Sequence, residues 1–114
     1  YGKKLFKQPP KVTRVYANCH NYGKHNGGRW HTDEGDAYGN GWCNVTMLFY
    51  PQKWNTQYNG GTMFNINGEE RTIEYIRNRM VVFPANIPHK AEYHTNKNDM
   101  RFTLAYKMSG MLND

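Results

Sequence analysis

The chain has 114 residues, a formal net charge of +6, and a composition that is 38% hydrophobic and 15% aromatic. That length has room for one compact domain with a modest core, so residues 1–114 are expected to be a single domain. No apolar run approaches the ~18 residues of a membrane span, and with no signal peptide in view the expected location is cytoplasmic, with no membrane partner.

The basic balance attracts nucleic acid, acidic polypeptides or small anions without choosing among them. The chain opens at Tyr1 rather than Met, which reads as a fragment or a processed product. Cys19 and Cys43 form neither a Cys-x-x-Cys pair nor a zinc pattern, so buried or free thiols in a reducing compartment are expected.

Nine Tyr, five Phe and three Trp beside eleven Gly favour short strands joined by tight turns. In chain order, Val12 to Asn18 is rich in β-branched and aromatic residues and reads as a strand. Arg29 to Asp33 reads as a short strand running into a loop, since three of the seven residues after Glu34 are Gly. Asn44 to Tyr50 is the clearest strand, stopped by Pro51. Thr62 to Ile66 follows a turn at Gly60-Gly61, and Asn67-Gly68 is a hairpin signal. Arg71 to Ile76 fits a strand or one helical turn, Met80 to Phe83 ends at Pro84, and Arg101 to Lys107 is the last strand. Strands at this spacing, with no sustained helical period and no internal repeat, predict an all-β sandwich or barrel, and a double-stranded β-helix (jelly roll) in particular.

Two distant stretches carry metal-ligand chemistry. On a strand, residues two apart share a face at roughly 6.5–7 Å, so His31 and Asp33 can reach one ion. His89 comes 56 residues after Asp33, with its entry fixed by Ile87-Pro88. Two histidines and one carboxylate make the facial triad that holds Fe(II) and leaves positions open. Zinc is the competing metal, but the His-Glu-x-x-His pattern of hydrolytic zinc is absent. His94 competes with His89 as third ligand; His20 and His25 read as surface or turn residues, and Glu34 and Asp36 as solvated loop acids.

Arg101, twelve residues after His89, suits a cosubstrate carboxylate because a guanidinium pairs with it bidentately. Thr103 shares its strand face and offers a second hydrogen bond. Lys107 lies on the same alternation and is expected at the surface, at the strand end. Thr46 and Tyr50 share a face, and Tyr22 lies nine residues before His31; their hydroxyls are candidates for the same pocket. Trp42 and Trp54 compete between bordering an entrance and packing under loops, with packing favoured for Trp54.

His31-Thr32-Asp33, Gly60-Gly61, His89 and Arg101-Phe102-Thr103, in that order, resemble the Fe(II)- and 2-oxoglutarate-dependent dioxygenases. Thr46 to Tyr50, Trp54, Gly60 to Phe64 and Val82-Phe83-Pro84 are similar to the prolyl 4-hydroxylase-like branch, and Tyr50 through Trp54 to Gly60-Gly61 to its oxygen-sensing members. The resemblance spans Tyr16 to Lys107. It implies a jelly-roll core, Fe(II) on His31, Asp33 and His89, and 2-oxoglutarate with its distal carboxylate at Arg101. Tyr50 matches the strand-end tyrosine that meets this carboxylate, and Tyr22 and Thr46 match pocket positions. O2 is the other implied cosubstrate, and the need for ascorbate stays open. Beyond the metal ligands, no side chain is implied as an acid or base.

The chain also departs from the family. Collagen-type prolyl hydroxylases carry Lys where Arg101 stands, the usual acid beside Gly-Gly is replaced by Asn59 and Thr62, the loop after Asp33 is short, and the family's N-terminal helices are not in the chain. The leading expectation is hydroxylation of a protein or peptide, prolyl residues first, with Gly35 to Trp42, Arg29 and Trp54 bordering the entrance. The alternatives are oxidative demethylation of nucleic acid, whose enzymes carry a second Arg where this chain has Lys107, and a non-catalytic cupin-like metal-binding module, which shows His-x-His rather than His-x-Asp.

Overall fold

The computed structural model describes residues 11–33 and 42–111. Their strands are β1 (Lys11–His20), β2 (Trp42–Phe49), β3 (Thr62–Ile66), β4 (Glu69–Ile73), β5 (Met80–Pro84), β6 (His89–Ala91) and β7 (Arg101–Met111). They form a four-stranded sheet in the order β1-β7-β2-β5 and a three-stranded sheet in the order β4-β3-β6. Every neighbouring pair is antiparallel, in the jelly-roll manner the strand spacing predicts.

Strand alternation sorts the side chains between two faces. Leu48, Phe64, Phe83 and Ala105 form the inner cluster, with Tyr16, Ile73, Val81 and Ile87 packed against it. The Phe64 and Phe83 rings meet edge to face at 4.8 Å and lock the two sheets together. Val45 and Met108 lie on the opposite side of the larger sheet with Met47 and Val82. Each such large apolar side chain contributes about 1.5–3 kcal/mol when fully buried.

The β3–β4 hairpin turns on Asn67 and Gly68, both with positive φ (54° and 83°), as the Asn-Gly signal requires. Gly60 also has positive φ (85°), and a Cβ on Gly61 would run into the Ile73 carbonyl. Both glycines of the Gly60-Gly61 turn are therefore sterically required, the first by conformation and the second by close approach.

Three segments differ from the sequence-based expectation. β1 runs on to His20 because it keeps pairing with β7 as far as His20 opposite Arg101. Arg29 to Asp33 is not a strand: only His31 bridges His89, through mutual backbone bonds of 3.1 and 2.9 Å. Gly27 and Gly28 lead into it and lie against Ala91 and Tyr93, and glycines of this kind weaken a strand. Arg71 to Ile76 resolves as strand, beginning at Glu69 and ending at Ile73. Short 3-10 turns cover Lys24–Asn26 and Thr56–Tyr58, the second capped by Asn55, whose side chain accepts from the Gln57 N–H at 2.9 Å. Among the described residues, no helix is long and apolar enough to cross a membrane.

Candidate metal centre

A cavity of about 220 Å³ opens between the two sheets. At one end lie His31, Asp33 and His89, whose ligand atoms all fall within 4.8 Å of one another. β6 supplies His89; the bridged segment beside it supplies His31 and Asp33, and the Asp33 N–H donates to the Ala85 carbonyl at 2.9 Å. The Nδ1 of His31 donates to the Arg29 carbonyl (2.7 Å) and that of His89 to the Ile87 carbonyl (2.8 Å). This fixes the tautomer with the proton on Nδ1 and leaves each Nε2 lone pair bare. Those nitrogens sit 3.5 and 3.2 Å from the Asp33 carboxylate oxygens. Electron-rich atoms turned toward one another in this way form a donor set that suits a divalent cation, and Fe(II) fits it.

Asp33 is almost fully enclosed. Its Oδ2 accepts from the Thr46 hydroxyl at 2.7 Å and pairs with the Lys107 ammonium, which also donates to Thr46 Oγ1 at 3.3 Å. Burial alone would raise the Asp33 pKa, but in the metal-free site a hydrogen bond from the doubly protonated form of His89, together with those from Lys107 and Thr46, outweighs it and holds the carboxyl well below the usual carboxylate range. Lys107 is thus not the surface residue its strand-end position suggested. Its side chain is only 11% exposed, because Arg101, Thr103, Ala105 and Lys107 alternate onto the cavity face of β7.

At the other end stands Arg101, 2% exposed. Its Nε donates to the Gly60 carbonyl, and its Nη2 to the Gly61 carbonyl (3.0 Å) and Thr62 Oγ1 (3.4 Å). The Gly-Gly turn therefore serves the site by bringing two carbonyls to the guanidinium. The Tyr75 ring lies 5.7 Å from its Cζ. Burial lowers the Arg101 pKa, but an arginine stays charged throughout the physiological range. Among the described residues, no carboxylate lies within ion-pair distance of this cation. A buried, unpaired charge is costly, so the cavity is suited to an anion from outside the chain.

Thr46, Thr103, His31, Asp33, His89 and Arg101 all line this one cavity. Tyr50 lies directly behind it, fully buried, sharing a 2.6 Å hydrogen bond with Thr62 and stacked on Tyr75 at 4.3 Å. Burial raises its pKa and keeps the hydroxyl protonated. Tyr22 is not brought to the cavity: it is 41% exposed, and its backbone carbonyl accepts from the Asn26 side chain. β1 ends before Tyr22, so the aromatic wall is supplied by Tyr16.

His94 is committed elsewhere. Its Nδ1 accepts from the Asn96 N–H (3.2 Å) and its Nε2 donates to the His20 carbonyl (2.9 Å). Trp54 donates to the Asn59 carbonyl at 2.7 Å and packs edge-on against His94 rather than lining the cavity. Arg29 does line it. Glu34, Asp36 and the Gly35 to Trp42 loop fall outside the described residues apart from the Trp42 backbone. Cys19 is a free, exposed thiol.

Sequence reasoning missed His20, Asn18 and Tyr16, which line the cavity from β1. The signal was available: these three alternate along one strand, opposite Arg101, Thr103 and Ala105 on its partner.

Similarity to known proteins agrees with this geometry. Against a prolyl-4-hydroxylase of Pseudomonas putida the chain aligns at 20% identity with a TM-score of 0.65, covering 88% of this chain and 52% of that one. Against a prolyl hydroxylase from Trichoplax adhaerens, solved in complex with a hypoxia inducible factor oxygen degradation domain peptide fragment, the values are 22%, 0.64, 88% and 46%. A non-heme monooxygenase solved in complex with nickel gives 12%, 0.62, 88% and 44%. At these identities the likeness is one of fold, and the chain spans about half the length of each. No curated protein sequence matches it. The family model described as 2OG-Fe(II) oxygenase superfamily matches residues 17–107, which takes in both ends of the cavity, and the chain belongs to that superfamily.

Proposed function

We propose that this chain is the catalytic core of an Fe(II)- and 2-oxoglutarate-dependent dioxygenase that hydroxylates a C–H bond of a protein or peptide, most readily at prolyl residues. The observation that carries the reading is the buried Arg101 guanidinium, without an acidic partner among the described residues, in the same cavity as the His31, Asp33 and His89 donor set. The bound metal would supply oxygen activation coupled to decarboxylation of 2-oxoglutarate to succinate.

The residues do the rest. His31, Asp33 and His89 would hold the metal, a set of three donors that leaves room for further ligands. The carbonyls of Arg29 and Ile87 keep both imidazoles oriented, while Thr46 and Lys107 steady the carboxylate. Arg101 receives the distal carboxylate of 2-oxoglutarate, assisted by the Thr103 hydroxyl on the same face. Thr62 and Tyr50 brace Arg101 from behind.

The peptide preference rests on the likeness to the two prolyl hydroxylase folds and on the resemblance from Tyr50 to Gly61. The net charge of +6 favours the demethylase reading instead, but the engagement of Lys107 with Asp33 leaves it ill placed to reach for a nucleobase. Metal- and 2-oxoglutarate-dependent succinate release, with a +16 Da product from proline-containing peptides, tests the proposal. His31→Ala should abolish turnover, and full activity in that variant would end the proposal. Salt-sensitive binding and demethylation of an oligonucleotide would move the assignment to the second reading.

A further inference from the structure

His20 is a half-buried histidine at the end of β1 that the reaction outlined above does not use. It pairs directly opposite Arg101 across β1 and β7, and Asn18 pairs opposite Thr103. All four side chains line the cavity, so they form a polar square at the end remote from the metal. The Nδ1 of His20 bonds the Asn26 carbonyl at 3.1 Å, an arrangement that requires the proton on Nδ1. Nε2 is then a bare acceptor with no hydrogen-bond partner among the described residues.

We propose, resting on the 2-oxoglutarate reading above, that His20 is a further cosubstrate-binding residue: it takes up a proton as the distal carboxylate settles against Arg101, and Nε2–H then donates to that carboxylate. In the neutral ring Nε2 would face the anion with a lone pair, which repels it. Protonation turns the same atom into a charge-assisted donor. The proton comes from solvent and returns there when the ligand leaves.

The groups around His20 set this balance. Burial, first, and then the Arg101 cation from β7 keep the ring below its ordinary pKa; the Asn26 carbonyl of the 3-10 turn acts the other way, and His94, from the segment between β6 and β7, adds a smaller lowering. A dicarboxylate beside Arg101 cancels the largest of the charges that oppose protonation. Ligand binding and proton binding at His20 therefore help one another, so affinity rises as pH falls.

Calorimetry of 2-oxoglutarate binding to Mn(II)-loaded protein tests this, run in buffers of different ionisation enthalpy so that the protons taken up are counted. At neutral pH both ligand carboxylates are ionised and Arg101 stays charged, so the proton that belongs to His20 is the difference in uptake between wild type and His20→Gln. The wild type should take up a fraction of a proton at pH 7.5 and bind several-fold tighter at pH 6.5 than at pH 8. His20→Gln, which can hydrogen-bond but not titrate in this range, should bind with no proton uptake and a flat pH profile. His20→Phe should bind roughly tenfold more weakly, the scale of a lost charge-assisted hydrogen bond. The same proton count in wild type and His20→Gln overturns the proposal while leaving the oxygenase reading in place. Failure of the wild type to bind 2-oxoglutarate at all overturns both. Should His20→Phe not fold, the proton count of His20→Gln decides alone.

Discussion

At one end of the cavity, His31, Asp33 and His89 come from two stretches of backbone, only one of them a regular strand, and the His31 side chain is 52% exposed. At the other end Arg101 and Thr103 stand on a single strand, each 2% exposed. The two ends also balance charge differently. The Asp33 carboxylate has Lys107 beside it, so the metal end is held by groups the chain itself provides. Among the described residues, the Arg101 guanidinium has only carbonyls, a hydroxyl and a ring. The carboxylate at the metal end has a cation of the chain beside it, whereas the guanidinium at the other end has no acidic partner among the described residues.

If the ends are independent, they can be broken one at a time. Asp33→Ala removes one of the three donors and should weaken Mn(II) or Co(II) binding more than a hundredfold in a direct titration, beyond the 10–100-fold typical of losing an outer-shell partner. Arg101→Met should weaken 2-oxoglutarate binding by about thirtyfold or more, the scale of truncating one partner of a buried hydrogen-bonded charge pair. The same variant should leave metal affinity within about threefold of wild type, since Arg101 touches none of the three donors. Loss of metal binding in Arg101→Met would show that the two ends fold as one unit.

Acid attacks the metal end more gently. The Asp33 carboxyl is held below its unfolded value of 3.8, so its contribution to stability is fully present above that pH and is lost as pH falls below it. The metal-free protein should therefore lose part of its thermal stability below about pH 4, and Asp33→Asn should show a smaller loss over the same window in a pH series of melting curves.

The two ends were not equally legible in the sequence. Arg101 and Thr103 follow from strand period alone; the same period along β7 points to Lys107, and carried across to β1 it points to His20. Lys107 reads as a surface residue from its place at the strand end, and His20 because a lone sequence does not say which strand a strand pairs with. His31-Thr32-Asp33 and His89 were legible as chemistry rather than as structure: the three side chains do converge, while the expected strand under His31 is only a single bridge. The expectation at Tyr22 rests on its spacing from His31 and on the family resemblance, and Tyr22 falls in the turn region after β1, exposed and away from the cavity lining.

The Gly60-Gly61 turn belongs to the anchor end and offers a structural way to disturb it. In Gly61→Ala the new methyl meets the Ile73 carbonyl, which belongs to backbone and can give way only by moving β4. A cost of about 1–3 kcal/mol is expected, typical of overpacking, with a fall of several degrees or more in melting temperature for a domain of this size. Because the Gly61 carbonyl also accepts from Arg101, 2-oxoglutarate affinity should fall as well, while metal affinity should not.

The smallest expected effects distinguish two tyrosines that the sequence placed in one pocket. Tyr50→Phe deletes a hydroxyl that is fully buried and bonded to Thr62, itself a partner of Arg101. It should cost about 1 kcal/mol of stability, the usual net worth of one hydrogen bond, and weaken 2-oxoglutarate binding a few-fold. Tyr22→Phe deletes a hydroxyl from a side chain that is 41% exposed, so a change within about 0.5 kcal/mol and an unaltered affinity are expected. Measured side by side, the pair reports whether the hydrogen-bonded brace behind Arg101 matters to the ligand. Equal effects from the two substitutions would mean that the cavity floor ends at Arg101 and that Tyr50 serves only to fill the core beneath it.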